Sequence, residues 1–312
     1  MRRVLRRKGG ERGMALLLVL LVVMALTLIV GTLWQASQPG WDQNSRERAE
    51  HQAGLIAESG LEVAMHPAIE PGDFALRHDF APERGYEVII TSESGRFPVN
   101  NLADENWREI VLELFLRWGL DLSQAGRAAD SLADWVDPDS NANTNGAENP
   151  FYAGFDAPEF PTNGPFTSLE EMLFVAGMDE VARIQPMWRE YFTIYSDDLI
   201  DLNAASWELI AAATGATDQS AQNFVAVRNG DDGIEGTIDD YRTEDVGEVQ
   251  ALLGLSSSEW SEVSDRVSLF GGVVRFESTG RIGEFTERRV VLAQQSGSGE
   301  NKEYVILARL RE

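Results

Sequence analysis

Cysteine is absent from all 312 residues. That excludes disulfides, thiolate metal ligands and cysteine nucleophiles, and it permits an oxidising compartment without demonstrating one. Histidine is scarce, with only His51, His66 and His78. His51 falls in a long helical pattern and His66 precedes a proline, positions that suit surface side chains better than general bases. No H-E-x-x-H, G-x-S-x-G or phosphate-cradling glycine loop occurs, so hydrolytic and nucleotide-driven chemistry lacks its usual apparatus. The chain reads as a non-enzyme. Positive charge is missing from one long stretch: Ala128 to Ala182 holds no Lys or Arg, yet eleven Asp and Glu.

What is present is unevenly spread. Residues 1–13 carry Arg2, Arg3, Arg6, Arg7, Lys8 and Arg12 against Glu11 alone, leaving 20 basic and 50 acidic side chains for the rest, a balance of about −30. Such a charge repels nucleic acid and anionic lipid surfaces. Directly after the basic cluster, Met14 to Leu33 (MALLLVLLVVMALTLIVGTL) runs for twenty residues without a charge. At about 1.5 Å per residue it makes roughly 30 Å of helix, the thickness of a bilayer's hydrocarbon core. The basic flank predicts a cytoplasmic N-terminus, a single membrane span and an extracytoplasmic chain from Trp34 onward. The run exceeds the roughly 7–15 residues of a signal-peptide core and no A-x-A site closes it, so any cut falls before it, between Gly13 and Met14.

From Gln35 to Met65 the pattern continues as helix, with Ala49, Ala53, Ile56, Ala57, Gly60, Leu61 and Ala64 on one apolar face. Pro39-Gly40 is expected to kink or interrupt it, and His66-Pro67 to end it. Tyr86–Thr91 reads as a strand followed by a turn at Ser94-Gly95. The C-terminal end predicts strands at Val273–Ser278, Glu284–Ala293 and Glu303–Leu310, with turns at Thr279-Gly280 and Ser296–Gly299. Residues 101–268 read mainly as helices. Trp107–Trp118 is amphipathic, and Ser168–Gly177, Ser206–Gly215 and Asp245–Gly254 share a helix–glycine–helix pattern. The expected fold is therefore α+β: a large helical domain inserted into an antiparallel sheet, whose first and last strands pair across about 170 residues.

Two acidic loops stand out. In Asp137–Glu148, oxygen-bearing Asp137, Asp139, Asn141, Asn143, Asn145 and Glu148 occupy positions 1, 3, 5, 7, 9 and 12 of a twelve-residue window. That spacing wraps oxygens around Ca²⁺, and Asp134 on the preceding helix offers a further ligand. Ala142 stands where an EF-hand needs glycine, and an Asx-rich loop making local turns explains the same residues without a metal. In the loop Asn229–Asp240 a twelve-residue register started at Asp231 places Gly233 and Arg242 where ligands belong, so a plain turn is the better reading there. The helix–glycine–helix segments also invite comparison with modules that grip DNA phosphates. Their glycines are followed by Met178-Asp-Glu180, Ala216-Thr-Asp218 and Leu255-Ser-Ser257 rather than by basic residues, which argues against nucleic acid.

Taken together, these residues resemble a known family. Arg12-Gly13 followed by Met14-Ala-Leu-Leu-Leu-Val-Leu20 resembles a class III prepilin signal, and the whole chain resembles the minor pseudopilin K family of bacterial type II secretion systems. Leu18 stands at the fifth position of the mature chain, where most pilins carry glutamate; its absence is characteristic of this family. Gly95–Leu102 is similar to the family's junction between strand and helical domain. Leu132–Asp139, Gly146-Ala-Glu148, Tyr152 and Asp201–Ser206 are similar to its helical insert.

The resemblance implies a prepilin leader at 1–13, a transmembrane helix at 14–33, pseudopilin helix and first strands at 34–100, an inserted α-domain at 101–268 and closing strands at 269–312. It implies cleavage after Gly13 by the prepilin peptidase, methylation of the Met14 amine, anchoring in the inner membrane before assembly, and a place at the tip of a periplasmic pseudopilus with minor pseudopilins I and J. Contact with secreted substrates is a further implication, and calcium binding, known in the family, would fall on Asp134, Asp137, Asp139, Asn141, Asn143 and Glu148. Leu18 has a physical reading at a tip: a carboxylate in hydrocarbon persists only where a neighbour's amine pairs it, and an end subunit lacks one neighbour. The rival readings are a type IV pilus minor pilin, which should keep the glutamate, and a membrane-anchored helix-hairpin-helix receptor for DNA uptake.

Overall fold

The computed structural model describes residues 10–155, 159–196, 199–297 and 299–311. One helix, α1 (Gly10–Ala64), leads the chain and continues through Pro39-Gly40, where a kink or an interruption was expected, so the helix is not interrupted there. It stops two residues before His66-Pro67, as the restriction on residues preceding proline requires. Among the described residues no helix is both long and apolar enough to cross a membrane. The expected span at 14–33 lies on α1, where Met14 and residues 16–32 are exposed, and within it Ala15 and Leu33 have side chains outside the described set; the basic cluster at 2–8 lies outside the described residues.

The C-terminal half of α1 packs on an antiparallel sheet. After α1 come β1 (Arg77–Ala81) and β2 (Arg84–Ser92), and the chain returns much later as β7 (Val273–Ile282), β8 (Phe285–Ser296) and β9 (Glu303–Arg311). The sheet order is β1-β2-β7-β8-β9. β2 pairs β7 from Arg84↔Ile282 to Ser92↔Val274, so the first and last parts of the chain do pair across the insert. Ala53, Ile56, Ala57, Gly60, Leu61 and Ala64 are buried on the helix face the periodicity marked. They meet Val88, Ile90, Phe276, Val291 and Ala293, the alternate residues of three strands.

Two expectations are corrected here. Thr279-Gly280 is not a turn but part of β7; the reversal comes at Gly283, which has a positive φ of 57°. Gly280 is glycine because α1 crosses it closely: a methyl there would overlap the Ala53 carbonyl and approach the Ala57 nitrogen to 2.5 Å. β1 was not expected at all, since its five residues are exposed throughout and show no alternation.

Between β2 and β7 lies the helical insert: β3 (Phe97–Pro98), α2 (Glu105–Arg117), α3 (Leu122–Val136), α4 (Asn149–Tyr152), α5 (Met178–Ile184), β4 (Phe192–Thr193), β5 (Ile200–Asp201), α6 (Trp207–Thr214), α7 (Asp218–Arg228), α8 (Val246–Leu253), α9 (Ser257–Val263) and β6 (Val267–Ser268). Its core centres on Phe97, Phe115, Leu132, Trp135, Trp188 and Phe192, all fully buried. α6 and α8 end on left-handed Gly215 and Gly254, as the pattern predicts. Ser168–Gly177 differs: its first part is a 3-10 turn, Leu169–Phe174, and Gly177 begins α5 rather than ending a helix. Two-residue parallel ladders, β3 with β4 and β5 with β6, tie the insert together. At the exit, buried Asn203 donates to the carbonyls of Thr243 (2.9 Å) and Leu269 (2.8 Å), which explains the Asp201–Ser206 motif as a clamp.

Candidate metal centre

The centre begins with α3. Asp121 and Gln124 form a capping box at its start, so the helix is fixed at its N-terminus and delivers Asp134 and Asp137 at its far end. Trp135, between them, is fully buried and packs against Tyr152 (5.9 Å), Phe160 (5.0 Å) and Phe166 (5.8 Å). This aromatic cluster holds both ends of the Asp137–Glu148 loop, because Tyr152 sits on the helix that Glu148 opens.

The loop folds back over α3 by polar contacts. Asn143 donates to Asp134 Oδ1 from its backbone (2.9 Å) and its side chain (2.6 Å). Asn145 does the same to Asp130 Oδ2, at 2.9 and 3.0 Å. Arg127 donates to the carbonyls of Asn145 and Gly146, both at 3.1 Å, and Arg108 donates to Asn143 Oδ1. Gly146 passes so near Asp134 that any β-carbon there would overlap Asp134 Oδ2.

Within this frame Asp137, Asp139 and Glu148 can each place one oxygen within 4.8 Å of the others. Asp134 Oδ2, Asp137 Oδ1 and both Glu148 oxygens are buried without a well-formed hydrogen bond. Burial pushes the Glu148 carboxyl up to about 6, helped by the negative charges of Asp134, Asp137 and Asp139. Asp137 is raised by burial and by Asp139 and Asp134; Asp134 is raised by burial, partly offset by its bonds from Asn143. Buried acids that repel one another and keep individual oxygens free of a well-formed hydrogen bond are the donor set a hard divalent cation fits, because six to eight oxygens can share its charge.

The asparagines take another part. Asn141 donates to Asp139 Oδ1 from its backbone (2.7 Å) and its side chain (2.9 Å), and Asn143 is spent between Asp134 and Arg108. Both brace the acids. The structure thus brings together Asp137, Asp139 and Glu148 with Asp134 beside them. Spacing alone did not reveal the bracing roles of Asp130, Arg108 and Arg127, although Gly146 in an acidic loop was a visible signal. Gly13 and Met14 lie on α1, far along the chain from this centre.

Comparison with known proteins bears on both regions. Residues 95–187, which hold the whole acidic centre, match the family model described as type II secretion system protein K. A stretch of 71 residues is 38% identical to type II secretion system protein K of Dickeya chrysanthemi, covering 23% of this chain and 19% of that protein. The match therefore spans about a fifth of that relative's length. The fold is similar to a chain in the crystal structure of the GspK–GspI–GspJ complex from enterotoxigenic Escherichia coli, with a TM-score of 0.60 and 16% identity over 89% of this chain and 99% of that one.

Proposed function

We propose that this chain, which matches the type II secretion system protein K family model over residues 95–187, is a member of that family and a minor pseudopilin acting at the tip of a pseudopilus as a non-enzymatic assembly subunit. The carrying observation is the architecture: a long helix packed on an antiparallel sheet that a helical insert interrupts between β2 and β7. The long helix suits a filament core. The insert, whose first part carries the family match, adds bulk on one side of the sheet that a repeating subunit could not accommodate.

In this reading Met14–Leu33 anchors the chain in the inner membrane before assembly, with the basic N-terminus in the cytoplasm and the folded domain in the periplasm. The prepilin peptidase cuts between Gly13 and Met14 and methylates the new amine. The fold neighbour was crystallised with GspI and GspJ, which supports minor pseudopilins I and J as partners here. Secreted substrates are further candidates for the exposed insert. Asp137, Asp139 and Glu148, with Asp134, would hold calcium. Bound there, the cation neutralises the clustered carboxylates and fixes the end of α3 to the start of α4 in a chain that has no disulfide to do so.

Intact-mass measurement of the protein purified from membranes of cells with an active prepilin peptidase tests the reading. The expected species starts at N-methylated Met14. A chain still starting at Met1 overturns it.

A further inference from the structure

Three exposed aromatic rings on the insert belong to one contiguous group. Phe151 is 37% exposed, Phe155 71% and Phe174 59%. Phe155 meets Phe151 at 5.1 Å between ring centroids, and Phe151 meets Tyr152 at 5.2 Å. Tyr152 meets Phe160 at 6.2 Å, and Phe160, itself half-buried, meets Phe174 at 5.6 Å. A single exposed phenylalanine is ordinary. Rings in unbroken contact make a patch of the kind that marks a binding surface.

The platform beneath the patch is fixed. Tyr152 and Phe160 both pack on fully buried Trp135. The Ala176 amide donates to Tyr152 Oη at 3.2 Å, which ties the chain just after Phe174 to α4. Phe155 ends the 3-10 turn that follows α4, and Phe174 ends the 3-10 turn Leu169–Phe174. Two segments distant in sequence are thus held together with their rings at the surface.

The charge around the rings has one sign. The patch lies within Ala128–Ala182, the stretch with eleven acids and no Lys or Arg. Glu159, next to Phe160 in the chain, is exposed, and its side chain has no ion pair or hydrogen bond among the described residues. Arg127 places its guanidinium 4.5 Å from the Phe151 centroid while donating to the carbonyls of Asn145 and Gly146. That contact shows a ring of the patch taking a cation on its face.

An apolar surface framed by acids selects its occupant by charge. A second copy of the chain, at −25, would bring like charge to it, and an anionic lipid surface is repelled for the same reason. We propose that Phe151, Phe155, Phe160 and Phe174 form a docking patch for a short polypeptide segment of a partner, in which an apolar anchor is flanked by Lys or Arg. The anchor covers the exposed rings, and the flanking cations meet the surrounding carboxylates and ring faces. The patch is made of rings rather than of the metal ligands or the N-terminal helix, so its failure would leave the metal and pseudopilin readings untouched.

Fluorescence anisotropy with the full chain in neutral-lipid nanodiscs tests this, with empty nanodiscs as the blank. The probe is a labelled synthetic peptide with Leu-Phe-Leu between paired lysines. Saturable binding that weakens with salt is expected, and a peptide with glutamates in place of the lysines should bind about tenfold more weakly or worse. Phe155→Ser and Phe174→Ser should each weaken binding of the lysine peptide by about tenfold, with the melting temperature little changed because both rings are exposed. Phe74→Ser, which removes a 90% exposed ring on the 3-10 turn before β1, should leave binding unchanged. No saturable binding, equal binding of the lysine and glutamate peptides, or an equal loss in Phe74→Ser overturns the proposal. Self-association of the parent chain that Phe155→Ser abolishes also overturns it, in favour of a second copy as the occupant.

Discussion

The loops Asp137–Glu148 and Asn229–Asp240 are both acidic and both follow a helix, but their charges are met in opposite ways. In the second loop the acids are answered from within. Asp239 accepts the amides of Asp231 (2.7 Å) and Asp232 (3.1 Å), Asp240 accepts that of Gly236 (2.7 Å), and Asp232 accepts that of Ile234 (2.7 Å). Its more buried Glu235 faces Arg228, 4.0 Å away, and feels Arg242 as well. In the first loop the nearby arginines, Arg108 and Arg127, are turned to an asparagine oxygen and to carbonyls, and the clustered acids meet chiefly one another. Composition did not separate the loops. What separates them is that Asp137, Asp139 and Glu148 converge on one another in the first loop, whereas in the second the most buried acid, Glu235, faces Arg228 and Arg242.

The largest expected effect breaks the second loop. Arg228 donates to the carbonyls of Leu202 (3.2 Å) and Ala205 (2.7 Å) from a buried position beside Glu235. Arg228→Ala leaves buried acceptors and an acid without their cation, so it should destabilise by roughly 3–5 kcal/mol, equally with and without calcium, in chemical denaturation. Next comes the first loop. Calcium should raise the melting temperature of the parent protein, and Asp137→Ala or Glu148→Ala should abolish that gain while changing the chelated protein little. A parent that melts identically in calcium and in chelator would remove the cation from the account.

A smaller effect concerns pH. The Glu148 carboxyl titrates at about 6 in the fold against 4.5 unfolded, so ionising it costs stability. That cost is absent below pH 4.5 and complete above about 6. The chelated protein should therefore melt higher as pH falls from about 6 towards 4.5, Glu148→Gln should flatten that slope, and calcium should suppress it near pH 6–7. The smallest effect sharpens the contrast from the other side. Asp239 is lowered by its bonds from Thr237 and the amides of Asp232 and Asp231, so its contribution is present above the ordinary aspartate range and is lost only as pH falls below about 4. Asp239→Asn should leave the melting temperature near neutral pH almost unchanged and show only as faster amide exchange at Asp231 and Asp232.

The reach of the sequence can be traced through the same residues. The buried face of α1 was legible because Ala53, Ile56, Ala57, Gly60, Leu61 and Ala64 repeat with helical period. The long-range pairing of β2 with β7 followed from β-branched runs at both ends of the chain. β1 was invisible because an exposed edge strand has no inward face to impose alternation. Gly280 was misread as a turn because a glycine that admits a crossing helix and one that reverses the chain look alike until α1 is in place. In the acidic centre, oxygen spacing marked Asp137, Asp139 and Glu148. It could not show that Asn141 and Asn143 turn donors toward Asp139 and Asp134, which depends on the chain's path over α3.

Calorimetric titration of calcium into the chelated full-length chain tests the central contrast most directly. The account predicts one bound ion per chain, lost in Asp137→Ala and in Glu148→Ala and kept in Asp239→Asn. No binding to the parent chain, or binding that survives both first-loop changes and disappears with Asp239→Asn, would contradict it.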